Sequence, residues 1–207
     1  MKKLAILLAI LFVGVLSYSQ ESDFNRSFRI GLGSSIGYAQ PIRFERINNL
    51  TKYQGRGIKI VNMDITKFFN NHNAIKVGLS YSKVKVKIDP KTEFDIPIPP
   101  FTESFDIISV PISYNFYFKK LYYIGVGTIL DFEIPNYDRE IITDKQSGLG
   151  LILEAGKEFK INWFTIQVAP CLQLHSFAPF STMTGQQRLF VASINIGINY
   201  SFKQNSH

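Results

Sequence analysis

The sequence predicts an all-β fold, an eight-stranded antiparallel up-and-down transmembrane β-barrel, and three observations lead to that prediction. Apolar side chains alternate with small or polar ones along segments of strand length. Short connections between those segments alternate with long ones, and aromatic residues gather beside the short connections. Short periplasmic turns, long extracellular loops and aromatic girdles together are typical of outer-membrane barrels.

The last predicted strand shows the alternation most clearly. In FVASINIGINYSF, residues 190–202, every second side chain from Phe190 to Phe202 is apolar, and those between are mostly Ser, Asn or Gly. Period-two alternation indicates a strand with one face in an apolar medium. A soluble sandwich would place Lys and Glu on the other face, whereas small residues suit the narrow interior of an eight-stranded barrel. We therefore expect Ile196 to face lipid and Asn195 to face the lumen.

The same pattern predicts the other strands and the orientation of the barrel. Three connections are short: NNHN at 70–73, KK at 119–120 and KI at 160–161. Because periplasmic turns are the short ones, these mark the periplasmic end. The second strand is the least regular, with Ile58, Ile60 and Phe68 on the inward parity. The predicted strands are 27–39, 56–69, 73–87, 103–118, 121–133, 147–159, 162–174 and 188–202, and the long loops are 40–55, 88–102, 134–146 and 175–187.

Aromatic residues form a predicted girdle at the periplasmic end. Tyr and Trp are enriched where a membrane protein crosses the interface between hydrocarbon and water. A soluble barrel has no reason to collect aromatic residues at its turns. The predicted girdle consists of Phe69, Phe118, Tyr122, Phe159, Trp163, Tyr200 and Phe202.

The N-terminal segment has the pattern of a secretory signal peptide. Lys2 and Lys3 precede an apolar run over residues 4–16, and small residues follow it. We expect a signal peptide at 1–19 and an outer-membrane β-barrel domain at 20–207. After residue 19 no apolar run is long enough for a membrane helix. The lone Cys171 leaves no internal disulfide to form.

The charge balance is mildly basic and excludes few partners. The chain carries a net charge of +7, which falls to +5 without Lys2 and Lys3. Nucleic acid is a poor expectation, because there is no basic helix and no binding motif. Basic residues instead gather at the predicted extracellular end, where we expect an outer rim facing lipopolysaccharide phosphates or an acidic partner; an ordinary solvated rim is the alternative. The rim consists of Arg43, Arg46, Lys52, Arg56, Lys83, Lys85 and Lys87, with Lys59 beside them.

Charged residues also fall on the inward parity of four predicted strands. They are Arg29, Asp64, Lys76, Glu154 and Glu158. Buried charges without partners are costly, so we predict a network in which Arg29 and Lys76 bridge Asp64 and Glu154 and close the barrel to solutes. The alternative is a wet lumen in which each charge is separately hydrated.

Catalytic and metal chemistry have little support in the sequence. His175 and Ser176 are adjacent at the extracellular end of the seventh predicted strand, so we expect them on opposite faces, and no carboxylate is singled out as their partner. The histidines are scattered, and the acidic loop residues lack the spacing of a cation site. We expect no catalytic residues, no metal and no cofactor. A small channel and, with less support, a lipid A-modifying enzyme are the alternatives to a non-enzymatic barrel.

The terminal segment INIGINYSF resembles the last-strand motif of outer-membrane barrels, which the barrel-assembly machinery reads during biogenesis. The whole chain after residue 19 resembles the small outer-membrane-protein β-barrel domain family that includes PorT-type proteins. The resemblance implies an integral outer-membrane protein, released from its signal peptide and assembled by that machinery. It also implies a non-enzymatic structural or binding role through the extracellular loops, as an accessory of an envelope or secretion assembly.

Overall fold

The computed structural model describes residues 26–43, 52–90, 99–118, 121–134, 145–161, 163–180 and 187–203. Eight antiparallel strands pair in chain order, and the first pairs with the last, so the sheet closes into a barrel. The predicted fold class is confirmed; the predicted signal peptide lies outside the described residues. The strands are β1 (Arg26–Arg43), β2 (Lys52–Phe68), β3 (Asn73–Asp89), β4 (Phe101–Phe118), β5 (Tyr122–Glu133), β6 (Gly148–Ile161), β7 (Phe164–Pro179) and β8 (Gln187–Lys203).

The strands extend further toward the long loops than the alternation predicted. β1 and β2 reach into the predicted loop 40–55, and β7 continues to Pro179. Backbone pairing can continue beyond the membrane, where the outer face no longer has to be apolar. The sequence signal therefore stops before the hydrogen-bonded ladder does.

The outward face forms an apolar belt and the inward face is polar over the same height. Leu32 is 63% exposed and Ile196 57% exposed, whereas Asn199 on the opposite parity of β8 is 4% exposed. On β1 the belt runs from Phe28 to Tyr38, about 33 Å along a strand at about 3.3 Å per residue. At a strand tilt of about 40° it is about 25 Å tall, the height of the apolar band of outer-membrane barrels. Among the described residues, no helix is long and apolar enough to cross a membrane.

The polarity of the two faces reverses toward the extracellular end of β3. Up to Tyr81 the outward residues are apolar; beyond it Lys83, Lys85 and Lys87 point outward. Over the same stretch Val84 and Val86 are fully buried inside the barrel. There the barrel has a polar exterior and an apolar core, as a soluble barrel does. This upper core consists of Ala39, Ile58, Ile60, Val84, Val86, Ile88, Phe105, Ile107, Leu189 and Val191.

Replacing Ile196 by Arg should lower the free energy of unfolding in lipid vesicles by about 2–4 kcal/mol, because Ile196 lies within the apolar belt. Asn195→Ser is the matched control on the inward face and should cost much less. Urea titration of the vesicle-embedded protein measures both values. A larger loss for Asn195→Ser than for Ile196→Arg would show that the two faces are inverted.

Candidate functional site

The periplasmic end of the lumen is filled by an ion pair packed on aromatic rings. Arg29 Nη1 donates to Glu158 Oε1 at 2.7 Å, and both side chains are buried. The hydroxyl of Tyr117 donates to the same carboxylate oxygen at 3.1 Å. The guanidinium carbon of Arg29 lies 4.7 Å from the centre of the Phe68 ring. The charge is thus held between a carboxylate and an aromatic face.

A second ion pair lies beside the first, between Lys76 Nζ and Glu154 Oε1. The same ammonium lies 5.8 Å from the centre of the Tyr123 ring. The amide of Gln167 donates to the Tyr123 hydroxyl, and Asn199 Nδ2 donates to Gln167 Oε1 at 3.3 Å. Polar contacts therefore continue across the lumen from β3 to β8.

Asp64 is a third buried carboxylate in this part of the lumen, and it takes part in neither of the two ion pairs. Its Oδ2 accepts a weak hydrogen bond of 3.5 Å from the Asn62 amide, and its Oδ1 has no hydrogen-bond partner among the described residues. Gly31 leaves the space for it, since a Cβ there would lie 2.7 Å from Asp64 Oδ1. A cavity of about 50 Å³ adjoins these groups and is lined by Asn62, Asp64, Lys76, Glu154, Cys171 and Gln173, among others.

The structure places all five charged residues of the sequence analysis inside the barrel but pairs them differently. Arg29 was expected to bridge Asp64 and Glu154, and it pairs with Glu158 instead. β6 runs toward the periplasmic end, so Glu158 lies nearer that end than Glu154 does, close to the start of β1. Lys76 pairs with Glu154 as expected. The period-two alternation identified which residues point inward, but it could not give their heights in the barrel.

A polar cluster around Asp131 lies toward the extracellular end, beside the upper core, since its His175 neighbours Leu189 across the β7–β8 ladder. Asp131 Oδ1 accepts from Ser109 Oγ at 2.6 Å and lies 3.0 Å from His175 Nδ1. Its Oδ2 accepts from the backbone N–H of Ser176 at 3.2 Å. One fully buried carboxylate thus joins strands β4, β5 and β7.

The expectation that His175 and Ser176 face opposite sides is wrong: both are buried. The β6–β7 register shifts between Leu149 and Leu151, so the alternation of β7 is interrupted there. Ser176 has a φ of 51°, which is strained for a residue with a side chain. The sequence gives no sign of this bulge. The inward parity of Asp131 on β5 was the signal that could have identified the acid.

The cluster lacks the arrangement of a nucleophilic triad. His175 Nε2 lies 3.1 Å from Gln173 Oε1, at the position where a triad would hold the attacking hydroxyl. Ser109 bonds to the carboxylate rather than to the imidazole. The hydroxyl of Ser176 is buried without a hydrogen-bond partner among the described residues. The contacts therefore form a hydrogen-bonded link between neighbouring strands.

Basic side chains form a surface on the outer wall of β2 and β3, above the apolar belt. Lys59 and Lys83 are direct neighbours across the two strands, and both are exposed. Arg56 is exposed at the bulge between Gly55 and Ile58. We call this surface the basic wall, and it consists of Lys52, Arg56, Lys59, Lys83, Lys85 and Lys87.

Two residues of the predicted rim do not belong to this wall. The guanidinium carbon of Arg43 lies 4.8 Å from the centre of the Tyr53 ring, at the mouth of the barrel. Arg46 lies outside the described residues. Two carboxylates border the wall, because Asp106 on β4 neighbours Lys83 and Asp89 on β3 neighbours Lys52.

The seven residues predicted for the girdle lie at the periplasmic end. Phe118 and Tyr122 stack with ring centres 6.0 Å apart, and Tyr200 packs edge-on against Phe202 at 5.0 Å. Phe28 and Phe164 join the band through contacts with Phe202 and Tyr200. The exposed members include Phe69, Tyr122, Phe159, Trp163, Tyr200 and Phe202.

Known structures with the same architecture are outer-membrane proteins. The chain is similar to OprG from Pseudomonas aeruginosa, with 15% identity over 89% of this chain and 100% of that chain and a TM-score of 0.53. It is similar to AlkL in lipid bilayers, with 12% identity over 91% and 96% of the two chains and a TM-score of 0.55. Neisserial surface protein A gives 11% identity over 84% and 97% and a TM-score of 0.50. No family model matches this sequence, and no curated protein sequence matches it significantly.

Replacing Glu158 by Gln should destabilise the barrel by about 3–5 kcal/mol, because the buried Arg29 then loses its countercharge. The double variant Arg29→Met with Glu158→Gln should regain most of that loss, since no buried charge is left unpaired. Denaturant unfolding of the wild type, the two single variants and the double variant in detergent micelles measures the coupling between Arg29 and Glu158. An unchanged midpoint for Glu158→Gln would contradict the pairing.

At these identities the comparisons show the fold alone: the chain has the eight-stranded barrel architecture of small outer-membrane proteins.

Proposed function

We propose that this chain is a non-enzymatic integral protein of the bacterial outer membrane, a sealed barrel whose basic wall binds the phosphate groups of lipopolysaccharide. The apolar belt supports membrane insertion, since exposed apolar residues cover the wall over about the height of the hydrocarbon. Like the girdle, the belt would be costly in water. An accessory role in a secretion assembly, as in PorT-type proteins, and assembly by the barrel-assembly machinery both stay predictions.

The contact that carries the proposal is the pairing of Lys59 with Lys83. Like charges directly opposite each other on neighbouring strands destabilise a sheet. Lys85 and Lys87 continue the row on β3, and Asp106, beside Lys83, is the one carboxylate among the ladder neighbours of these four lysines. A phosphate group bound between the two lysine side chains would replace this repulsion by attraction.

The height of the basic wall selects lipopolysaccharide as the anion. The wall begins at Lys83, directly above Tyr81, the last member of the apolar belt on β3. A ligand there must carry its phosphates next to the hydrocarbon boundary. Lipid A carries phosphates at that depth, whereas a soluble polyanion would meet the loops first. The proposed ligand therefore lies against the outer wall rather than in the mouth.

Charge removal at the basic wall should weaken lipopolysaccharide binding without weakening the barrel. For Lys83→Gln we expect little change in folding without ligand, because the relieved repulsion from Lys59 is offset by the lost attraction to Asp106. We expect weaker and less salt-dependent binding of purified lipopolysaccharide, measured by calorimetry in detergent. Lys67→Gln, at the periplasmic end of β2, is the matched control. Equal binding by the wild type and Lys83→Gln would overturn the proposal, as would undiminished binding of dephosphorylated lipid A.

A sealed lumen follows from the two ways in which the barrel is filled. Ion pairs and aromatic rings fill the periplasmic end, and the upper core packs Val84, Val86 and Phe105 inside the extracellular end. The cavity between them, about 50 Å³, has room for a few water molecules at most. These contacts favour a plug over the channel alternative.

Planar-bilayer recording tests the seal. The purified barrel should give no steady conductance, because ion pairs fill one end of the described lumen and the upper core fills the other. Glu158→Gln with Tyr117→Phe removes the carboxylate that binds Arg29 and the hydroxyl that donates to that carboxylate, and brief openings are expected for that variant. Large, steady conductance from the wild-type protein would support the channel instead.

The geometry of the Asp131 cluster supports the proposal that this protein is not an enzyme. His175 Nε2 faces Gln173, and Asp131 is bonded on both oxygens. A general base needs a hydroxyl or water within reach of its free nitrogen. The cluster is also buried, which leaves a lipid substrate no approach.

A further inference from the structure

A groove interrupts the outer wall at the periplasmic end of β5, β6 and β7. This open groove has a volume of about 340 Å³, and its lining includes Phe118, Tyr122, Tyr123, Ala155, Lys157 and Pro170. Most of these residues are apolar, and two belong to the aromatic girdle. The groove therefore lies where acyl chains meet headgroups on the periplasmic side of the membrane.

Small residues on β6 create the groove. The outward residue Ala155 stands between Ile124 on β5 and the position of Pro170 on β7, both larger. A Cβ at Gly156 would lie 2.4 Å from the Tyr123 ring, so that ring forms the inner side of a thin wall. The β6–β7 ladder pairs Glu154 with Cys171 and next pairs Lys157 with Val168. Pro170, which has no backbone N–H, lies in this gap.

Lys157 provides a positive charge at the edge of the groove. Its ammonium lies 5.1 Å from the centre of the Tyr122 ring and 5.0 Å from that of Phe159. Its outward neighbours on the wall, Tyr122, Val168, Ala155 and Phe159, carry no carboxylate. A lysine held between girdle rings keeps its charge at the headgroup level while its methylene chain covers apolar surface.

We infer that this groove binds one anionic phospholipid of the periplasmic leaflet, with an acyl chain along Ala155 and Pro170 and its phosphate on Lys157. Lys157 is the only charged residue among the described residues that line the groove, so the expected occupant is apolar along most of its length and negative at one end. The rings of Tyr122 and Phe159, with centres 5.1 and 5.0 Å from the ammonium, hold its charge at the edge of the groove, where it can pair with a phosphate. This site is distinct from the basic wall, which faces the other leaflet.

Lipid retention tests the site in the intact barrel. The protein is placed in nanodiscs that contain equal amounts of phosphatidylglycerol and phosphatidylcholine, released into the gas phase, and weighed with its retained lipid by native mass spectrometry. Wild-type protein should retain phosphatidylglycerol about fivefold over phosphatidylcholine, the effect expected of one lysine near a membrane surface. Lys157→Gln should abolish that preference.

Two further variants separate the groove from general lipid contact. Ala155→Leu fills the groove and should reduce retention of both lipids. Lys67→Gln removes an outward lysine at the periplasmic end of β2 and should behave as the wild type. The ladder neighbours of Lys67, Phe28 and Ile75, are both large, so no comparable groove lies beside it. Equal loss of preference in Lys67→Gln and Lys157→Gln would overturn the site and indicate a nonspecific lipid shell.

The inference rests on the proposed membrane placement, and the outcomes distinguish the two. A wild-type protein that fails to enter nanodiscs of any composition would overturn the placement. A protein that enters nanodiscs and retains both lipids equally would overturn the phospholipid site alone. Retention unchanged by Ala155→Leu would likewise overturn it.

Discussion

Backbone hydrogen bonding is the constraint on which the rest of this structure depends. A strand in hydrocarbon finds no water to bond its N–H and C=O groups, so every strand needs a neighbour on each side. The pairing of β1 with β8 supplies the last neighbours and removes both edges of the sheet. Closure at eight strands then fixes a narrow interior. That interior accepts Gly31 beside Asp64 and leaves few positions for large side chains at mid-height.

The medium on each side of the wall decides which side chains the narrow ring carries. At mid-height the exterior is apolar, so charged residues gather inside, and low solvent content forces them into pairs such as Arg29 with Glu158. Above Tyr81 the relation reverses, with lysines outside and valines inside. The barrel thus has the surface pattern of a membrane protein at one height and that of a soluble protein at the next. Both forms of filling leave little open space.

Much of the fold could be predicted because the wall is one residue thick. Period-two alternation in β8 gives its two faces directly, and connection lengths give the orientation of the barrel. The site was less accessible, because contacts across the lumen depend on height and strand tilt, which parity does not encode. For this reason the sequence did not predict that Arg29 pairs with Glu158. The burial of Ser176 arises from a bulge, and no local residue pattern distinguishes that bulge from regular strand.

The pairing of the first strand with the last also makes the order of the strands cyclic. Phe28 faces Phe202 across the β1–β8 ladder just as Phe118 faces Tyr122 across a hairpin. The only difference is that no turn connects the first pair. Both ends of the described chain therefore emerge side by side at one rim. A short peptide joining them, with the cut moved to one of the long loops, would give the same ring of contacts in a circularly permuted chain, so packing alone does not determine where this sequence begins.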